Sequence, residues 1–266
     1  MDNVHFDRKA SHSLSVVTLA LVFREELNKD QLKKLQNLDQ VMRDHFSHSE
    51  AKHSFSVTMN DTASQAAAPK FAGWRLDMAN KDEGKIVDWQ LEIDTVSCAI
   101  RTFAYSGWED FISKAIKILT DLFERTELTQ TAFDELGLQV IDRFHWNLTN
   151  GRYQLSKFFK PESAIFSESI RTKNAPLWHL FQGWKEDYDG RSYVENVNLS
   201  TNHPKEQPHR TEIAHVIRCV QGAEGEGDIF NSDVIRKLSD HAHDQNKKLL
   251  NDILSDQAIE RIHLNN

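Results

Sequence analysis

Two histidines and two aspartates stand close together near the C-terminus, and these residue types can hold a metal ion or transfer a proton. They are Asp240, His241, His243 and Asp244. On a helix, His241 and Asp244 would lie on one face, because residues three positions apart are neighbours there. A metal site needs three or more convergent ligands, and the His-Glu-x-x-His spacing of many zinc enzymes is absent. We therefore take His241 and Asp244 as candidate metal ligands, with a solvated helix face as the simpler interpretation.

Other polar residues could contact a ligand or a partner. Arg101, Tyr105 and Arg143 are expected at strand and helix ends around Trp108, and a guanidinium group binds carboxylates and phosphates well. Satisfied surface charges are the alternative explanation, and Trp108 itself is expected in the core. The loop at residues 202–208 and its flank carry groups that could join a metal site, namely His203, Glu206 and His209.

The sequence contains no familiar catalytic motif. The glycine-rich segment at residues 222–227 lacks the lysine and the glycine spacing of a nucleotide-binding loop, and there is no Gly-x-Ser-x-Gly nucleophile turn. Cys98 and Cys219 lie in apolar, strand-like segments, so we expect two small buried side chains rather than nucleophiles or a disulfide. We therefore predict no catalytic residue and no cofactor.

Composition and charge exclude several classes of protein. The 266 residues carry a net charge of −8, which argues against broad binding to nucleic acid or anionic membranes. No apolar run approaches the roughly 18 residues that a membrane span needs. The N-terminal residues are too polar for a secretory signal, so a cytoplasmic protein is expected. Six Trp and fifteen Phe suit either a well-packed core or an aromatic interface.

Strand patterns dominate residues 1–148, which we predict to form a first α+β half. The clearest lies at residues 86–93, where apolar residues alternate with Asp, Gln and Glu, as in a strand with one polar face. Residues 61–70 follow neither period and are predicted to be a surface loop. The half therefore has the order β-α-ββββ-α-β, with its other strands at residues 14–23, 54–59, 74–78, 96–100 and 136–144.

Two helices of this half have predicted N-terminal caps. Asn28 with Gln31 predicts the start of a helix of about four turns that ends near Phe46. Ser106 with Glu109 predicts a capping box for the second helix. Its apolar stripe should pack on the neighbouring sheet. The stripe comprises Trp108, Phe111, Ile112, Ala115, Ile116, Leu119, Leu122 and Phe123.

Residues 149–266 are predicted to form a second α+β half with a similar order of elements. A helix with proline in its first turn is predicted at residues 176–184. The remaining elements are strands at 193–199 and 213–220, a long helix from Ser232, and a short helix at 256–262. The predicted fold class is therefore α+β, with mainly antiparallel sheets, long helices packed on one face, and two loosely related halves.

Several landmarks, in this order, resemble a sporadically distributed bacterial family without an established activity, the TIGR04255 family. The matching residues are Gly73 and Trp74 in a strand, then Tyr105, Gly107, Trp108, Glu109 and Phe111 around a helix start, then residues 137–143 and a long C-terminal helix. The chain departs from the family pattern at residues 216–220 and at Val140, where an aromatic residue is usual. The resemblance implies the fold and a bacterial origin, and no reaction.

Three functions remain open on the sequence alone. The first is a non-enzymatic protein that binds a protein partner or itself, as an accessory or sensor component of a defence or toxin–antitoxin system. The second is a metal-assisted hydrolase or nuclease that uses the His and Asp cluster. The third is a small-ligand or nucleotide sensor, because a curved sheet beneath a long helix can enclose a pocket.

Overall fold

The computed structural model describes residues 4–5, 13–54, 57–60, 63–66, 70–79, 86–146, 154–173, 177–202, 209–221 and 227–264. Within these ranges the chain has an α+β fold with a large antiparallel sheet and six α-helices. The strands are β1 (Val4–His5), β2 (Leu14–Phe23), β3 (His48–Ser54), β4 (Val57–Asn60), β5 (Ala63–Ala66), β6 (Lys70–Ala79), β7 (Val87–Asp94), β8 (Ser97–Thr102), β9 (Ala132–Trp146), β10 (Trp178–Tyr188), β11 (Arg191–Asn202), β12 (His209–Val220) and β13 (Asp228–Ile229). The helices are α1 (Lys29–Lys34), α2 (Leu38–Val41), α3 (Trp108–Arg125), α4 (Glu168–Lys173), α5 (Ser232–Ile253) and α6 (Asp256–Arg261). Among the described helices, none combines the length and the apolar character needed to cross a bilayer.

The chain divides into two compact units, each built from segments that are distant in sequence. The first unit consists of Met1–Val17, Gly137–Gly222 and Lys237–Asn266. The second unit consists of Thr18–Leu136 and Ala223–Arg236. The division into two related halves at residue 148 stays a prediction.

The strands of the second unit follow the order β2-β8-β7-β6-β3. Strand β7 pairs antiparallel with β8, from Trp89 opposite Thr102 to Ile93 opposite Cys98. The strands predicted at residues 86–93 and 96–100, and their antiparallel pairing, are therefore confirmed. Helix α3 packs on this sheet through Phe111, whose ring stacks on Trp89 at 5.7 Å. Its buried residues are Phe111, Ile112, Ala115, Ile118, Leu119, Leu122 and Phe123.

The first predicted helix starts correctly and ends too late. Asn28 and Gln31 form the expected reciprocal capping box of α1. The helix then stops after Lys34, and α2 follows as a separate turn, so the prediction of a continuous helix to Phe46 is wrong. The indole Nε1 of Trp74 donates to the carbonyl oxygen of Leu35 at 2.6 Å. This bond engages a carbonyl that a continuing helix would use, and so favours the break.

The predicted capping box of α3 is also wrong. The residue that precedes the helix is Gly107, with φ of 152° and no side-chain cap. Ser106 instead donates to the carboxylate of Asp110 at 2.9 Å. A glycine suits this position because its positive φ is one that residues with a Cβ rarely adopt.

Two further predictions fail, one at a segment without a clear period and one where the apolar spacing fits both a helix and a strand. The segment at residues 61–70, predicted to be a loop, contains β5, which pairs antiparallel with β4. The helix predicted at residues 176–184 is instead the first part of β10. Trp178, Leu180 and Trp184 recur at even spacing and pack against the core of the first unit, whereas Phe181 points to the other face.

The first unit has the strand order β10-β11-β12-β9, and the strands predicted at residues 193–199 and 213–220 are confirmed. The helices predicted from Ser232 and at residues 256–262 are present as α5 and α6. The buried apolar core joins the sheet to these helices. It comprises Phe144, Trp146, Leu155, Phe158, Phe159, Phe166, Val197, Leu199, Ile213, Leu250, Ile253, Leu254, Ala258 and Ile262.

Gly73 allows two strands of the second unit to approach closely, and its replacement tests this packing. Its φ is 143°, and an added Cβ would lie 2.0 Å from the backbone oxygen of Ile93. We expect Gly73→Ala to lower the free energy of unfolding by at least ~2 kcal/mol, measured by urea denaturation. Gly137→Ala is the matched control, because a Cβ there meets no atom within 4 Å. The control should stay within about 0.5 kcal/mol of the wild type. Equal stabilities of the two variants would contradict the packing described.

Candidate functional site

Five polar side chains lie buried in the interior of the first unit, in two hydrogen-bonded groups. Ser13, which precedes β2, is bonded to Asp142 on β9, and His215 on β12 is bonded to Glu195 on β11 and to Asn246 of α5. None of the five is more than 4% exposed. We call this group the buried polar cluster.

Side chains point alternately to the two faces of each strand, and this alternation places Asp142, Glu195 and His215 on the buried face. On β12, every second residue from His209 to Cys219 is buried, and His215 occupies one of these positions between Ile213 and Ile217. Glu195 stands in the same way between buried Tyr193 and Val197, and Asp142 between buried Val140 and Phe144. These three groups therefore lie on the buried sides of their strands, as do His209 and Thr211 of β12.

Hydrogen bonds compensate the burial of these groups. His215 Nδ1 lies 3.0 Å from Asn246 Oδ1, and His215 Nε2 lies 3.0 Å from Glu195 Oε2. Ser13 Oγ donates to Asp142 Oδ1 at 2.5 Å. Both ring nitrogens of His215 are engaged by buried partners, and polar groups in such a setting need those partners to offset lost hydration. The arrangement suits a structural role, because no group of the cluster faces solvent.

Burial also changes the acidity of one member of the cluster. Removal of the Asp142 carboxyl group from water raises its pKa to about 6. The hydrogen bond from Ser13 and the positive charge of His215 act in the opposite direction and do not cancel this effect. Asp142 is thus a buried acid that titrates close to neutral pH.

The two candidate metal ligands lie on α5, as predicted, but in different surroundings. The ring of His241 stacks on Tyr188, with centroids 4.0 Å apart and an angle of 8°, and it also contacts Tyr193. Burial lowers the pKa of His241. Asp244 is exposed and lies 4.0 Å from the ring of His243. Among the described residues, no group of three or more His, Cys, Asp or Glu side chains is placed to hold a metal ion.

The three residues proposed to contact a partner belong to different units. In the second unit, Arg101 Nη2 lies 3.9 Å from Glu92 Oε1, and Tyr105 is half-buried before α3. In the first unit, Arg143 Nε donates to Glu212 Oε2 at 2.8 Å. Contact of these residues with a partner stays a prediction.

Several other side chains of the sequence analysis have packing roles. Cys98 and Cys219 are free thiols and buried, as expected, and burial raises the pKa of Cys98. Trp108 is half-buried and packs against Phe111 at 5.7 Å. His209 is buried and stacks on an aromatic ring of β9, while His203 and Glu206 lie outside the described residues.

Strand β10 carries large apolar side chains on its exposed face, and the sequence analysis did not identify this surface. Phe181 is 66% exposed, and Leu177, just before the strand, is 61% exposed. Tyr188 at the other end is 52% exposed, but it lies on the opposite face of the strand, where its ring stacks on His241. The sequence predicts a helix at residues 176–184, and in that helix Phe181 would belong to the buried apolar stripe. We call Leu177 together with β10 the β10 surface.

Comparison of the whole chain with models of known protein families and with curated proteins finds no match.

The acidity of Asp142 can be tested through the stability of the protein. Its folded-state pKa of about 6 exceeds the ordinary value of 3.8, so the folded chain retains a proton that the unfolded chain releases. The stability contributed by this proton is present at low pH and is lost as the pH rises through about 6. We expect Asp142→Asn to gain about 2.5 kcal/mol relative to the wild type between pH 4 and pH 7.5, measured by urea denaturation at each pH.

The quantity to compare is the difference in free energy of unfolding between Asp142→Asn and the wild type at each pH. Burial lowers the pKa of His243 to about 4, and that of His241 also falls, so these groups add stability as the pH rises through the same window. Their contribution is common to both proteins and cancels in the difference. Glu25→Gln, on an exposed carboxylate that acts on neither histidine, is the control, and its difference from the wild type should change little with pH. A flat difference for Asp142→Asn would contradict a raised pKa at this position.

Proposed function

We propose that this chain is a non-enzymatic protein that binds a protein partner or itself, and that the β10 surface is the docking site. The observation that carries the proposal is the exposure of Phe181 and Leu177 beside a strand whose other face is anchored in the core. Large exposed apolar side chains on one side of a strand are typical of interaction surfaces. Large aromatic residues also supply much of the binding energy at protein interfaces.

The proposal includes a cytoplasmic bacterial protein that serves as an accessory or sensor component of a defence or toxin–antitoxin system. Its support is the resemblance noted in the sequence, together with the net charge of −8, which disfavours broad nucleic-acid binding. We also propose that the chain consists of two related α+β halves, with long helices packed on one face of the sheet. Each half supplies one long helix, α3 with 18 residues and α5 with 22.

The two alternative functions have weaker support. A metal-assisted hydrolase would need His241 as a ligand, and the stacking of its ring on Tyr188 favours a packing role. A small-ligand sensor would need a lined pocket, and the buried polar cluster is already satisfied by its own hydrogen bonds. The β10 surface is the stronger basis for a function.

Co-purification from the host tests the proposal. We expect the tagged wild-type chain to retain a specific protein, either another protein or an untagged copy of itself. The double variant Leu177→Ser, Phe181→Ser should reduce its amount roughly 10-fold or more, because loss of an aromatic anchor commonly costs over 1 kcal/mol.

The control is a second pair of exposed apolar residues away from the β10 surface. Val96 is 43% exposed and Ile229 is 51% exposed, and both belong to the second unit. The double variant Val96→Ser, Ile229→Ser should retain the partner at the wild-type level. Equal recovery with both double variants would show that the β10 surface is not the docking site.

A further inference from the structure

The outer edge of β10 has no strand beside it in the described part of the chain. Strand β10 pairs with β11 over its full length, from Trp178 opposite Thr201 to Tyr188 opposite Arg191, with no shift of register. A strand with one neighbour leaves backbone N–H and C=O groups along its other edge. Eleven residues of regular strand therefore offer a template for a further antiparallel strand.

The contrast with β3, the terminal strand of the second unit, shows that residues 178–184 of this edge lack the usual protection, whereas Lys185, Glu186 and Asp187 follow them in β10. Strand β3 carries Glu50 and Lys52, and its pairing with β6 shifts register between Lys52 and His53. Charges and bulges of this kind prevent edge-to-edge association. From Trp178 to Trp184, β10 has neither a bulge nor an Asp, Glu, Lys or Arg side chain.

The inner face of β10 fixes the edge in position. The Trp178 ring packs at 5.8 Å from Phe159 and at 6.0 Å from Phe166. Trp184 lies at 6.3 Å from the ring of His215. An edge that is already ordered loses little conformational entropy when a partner strand docks.

The order of side chains on the exposed face of β10 is complementary to the same order read in the opposite direction. Its residues alternate along the strand as His179, Phe181, Lys185 and Asp187. The imidazole of His179, whose Nε2 lies 2.8 Å from Asn198 Oδ1, stands at one end of the strand. The carboxylate of Asp187, which accepts from Ser192 Oγ at 2.8 Å, stands at the other end. Antiparallel pairing of the strand with its own copy brings each end of one strand beside the opposite end of the other.

We propose that a second copy of this chain docks on the outer edge of β10, as an antiparallel β10–β10 pair with its two-fold axis at Gly183. This inference rests on the proposed function and names the partner. In this register Phe181 lies opposite the partner copy's Lys185, and His179 opposite the partner copy's Asp187. The first pair sets a cation beside an aromatic ring, and the second sets an ionisable imidazole beside a carboxylate. An axis at Lys185 or at Glu186 would instead place like charges opposite each other.

Sedimentation equilibrium of the purified full chain tests the inference. The wild type should be a dimer, and either His179→Asp or Asp187→Lys should raise the dimer dissociation constant roughly 10-fold, because each change disrupts two symmetric cross-strand pairs. The double variant His179→Asp, Asp187→Lys should return close to the wild-type value, since it restores opposite charges. Asp244→Lys, an equivalent change on an exposed residue of α5, should leave the constant unchanged.

Disulfide trapping tests the register. The double variant Phe181→Cys, Lys185→Cys should form an intermolecular disulfide dimer under mild oxidation, and Phe181→Cys alone should not. Rapid trapping of the single variant would overturn the axis at Gly183, because it would place Phe181 opposite itself. The native Cys98 and Cys219 are buried and do not compete.

The outcomes separate this inference from the proposed function. A wild type that stays monomeric up to about 100 µM, or a dimer insensitive to the β10 changes, overturns the inference. If a monomeric chain still loses another protein when Leu177 and Phe181 are replaced, the docking site stands with a different occupant. If neither association depends on β10, both the inference and the proposed function are wrong.

Discussion

Three side chains on one face of β10 anchor the strand in the core, and they thereby fix the position of its outer edge and the exposure of its other face. Trp178, Leu180 and Trp184 pack against the core of the first unit, so the backbone of the strand is held by side-chain burial as well as by hydrogen bonds to β11. Phe181 consequently points away from the core, with 66% of its surface exposed. The strand therefore presents a regular edge, fixed in position, with a large apolar side chain beside it, and the proposed docking rests on this combination.

The buried polar cluster constrains the sheet on which β10 rests. Glu195 and His215 belong to β11 and β12, and their hydrogen bond requires the observed register, with Glu195 opposite Ile217. A slip of one residue would turn every side chain of a strand to the other face and leave a buried carboxylate without its partner. The polar groups thus favour one alignment among several that apolar burial alone would tolerate. Trp184 of β10 stands directly opposite Glu195 in that alignment.

Much of the fold can be predicted from the sequence, because strict alternation defines strands such as residues 86–93 and caps such as Asn28 define helix starts. The helix predicted at residues 176–184 was wrong because its apolar spacing fits a helix stripe as well as an alternating strand, and only tertiary packing decides between them. The buried polar cluster was missed although a signal existed. Glu195 and His215 occupy positions in the alternation where apolar residues are expected. Their pairing depends on strand order, which local patterns do not contain.

Amide hydrogen exchange of residues 178–188, measured at several protein concentrations, tests most directly whether β10 serves as a docking edge. The account predicts that exchange of this segment slows as the concentration rises, while β3, with its bulged and charged edge, exchanges at a constant rate. Fast exchange of residues 178–188 at every concentration, and in the presence of any co-purifying protein, would contradict the account.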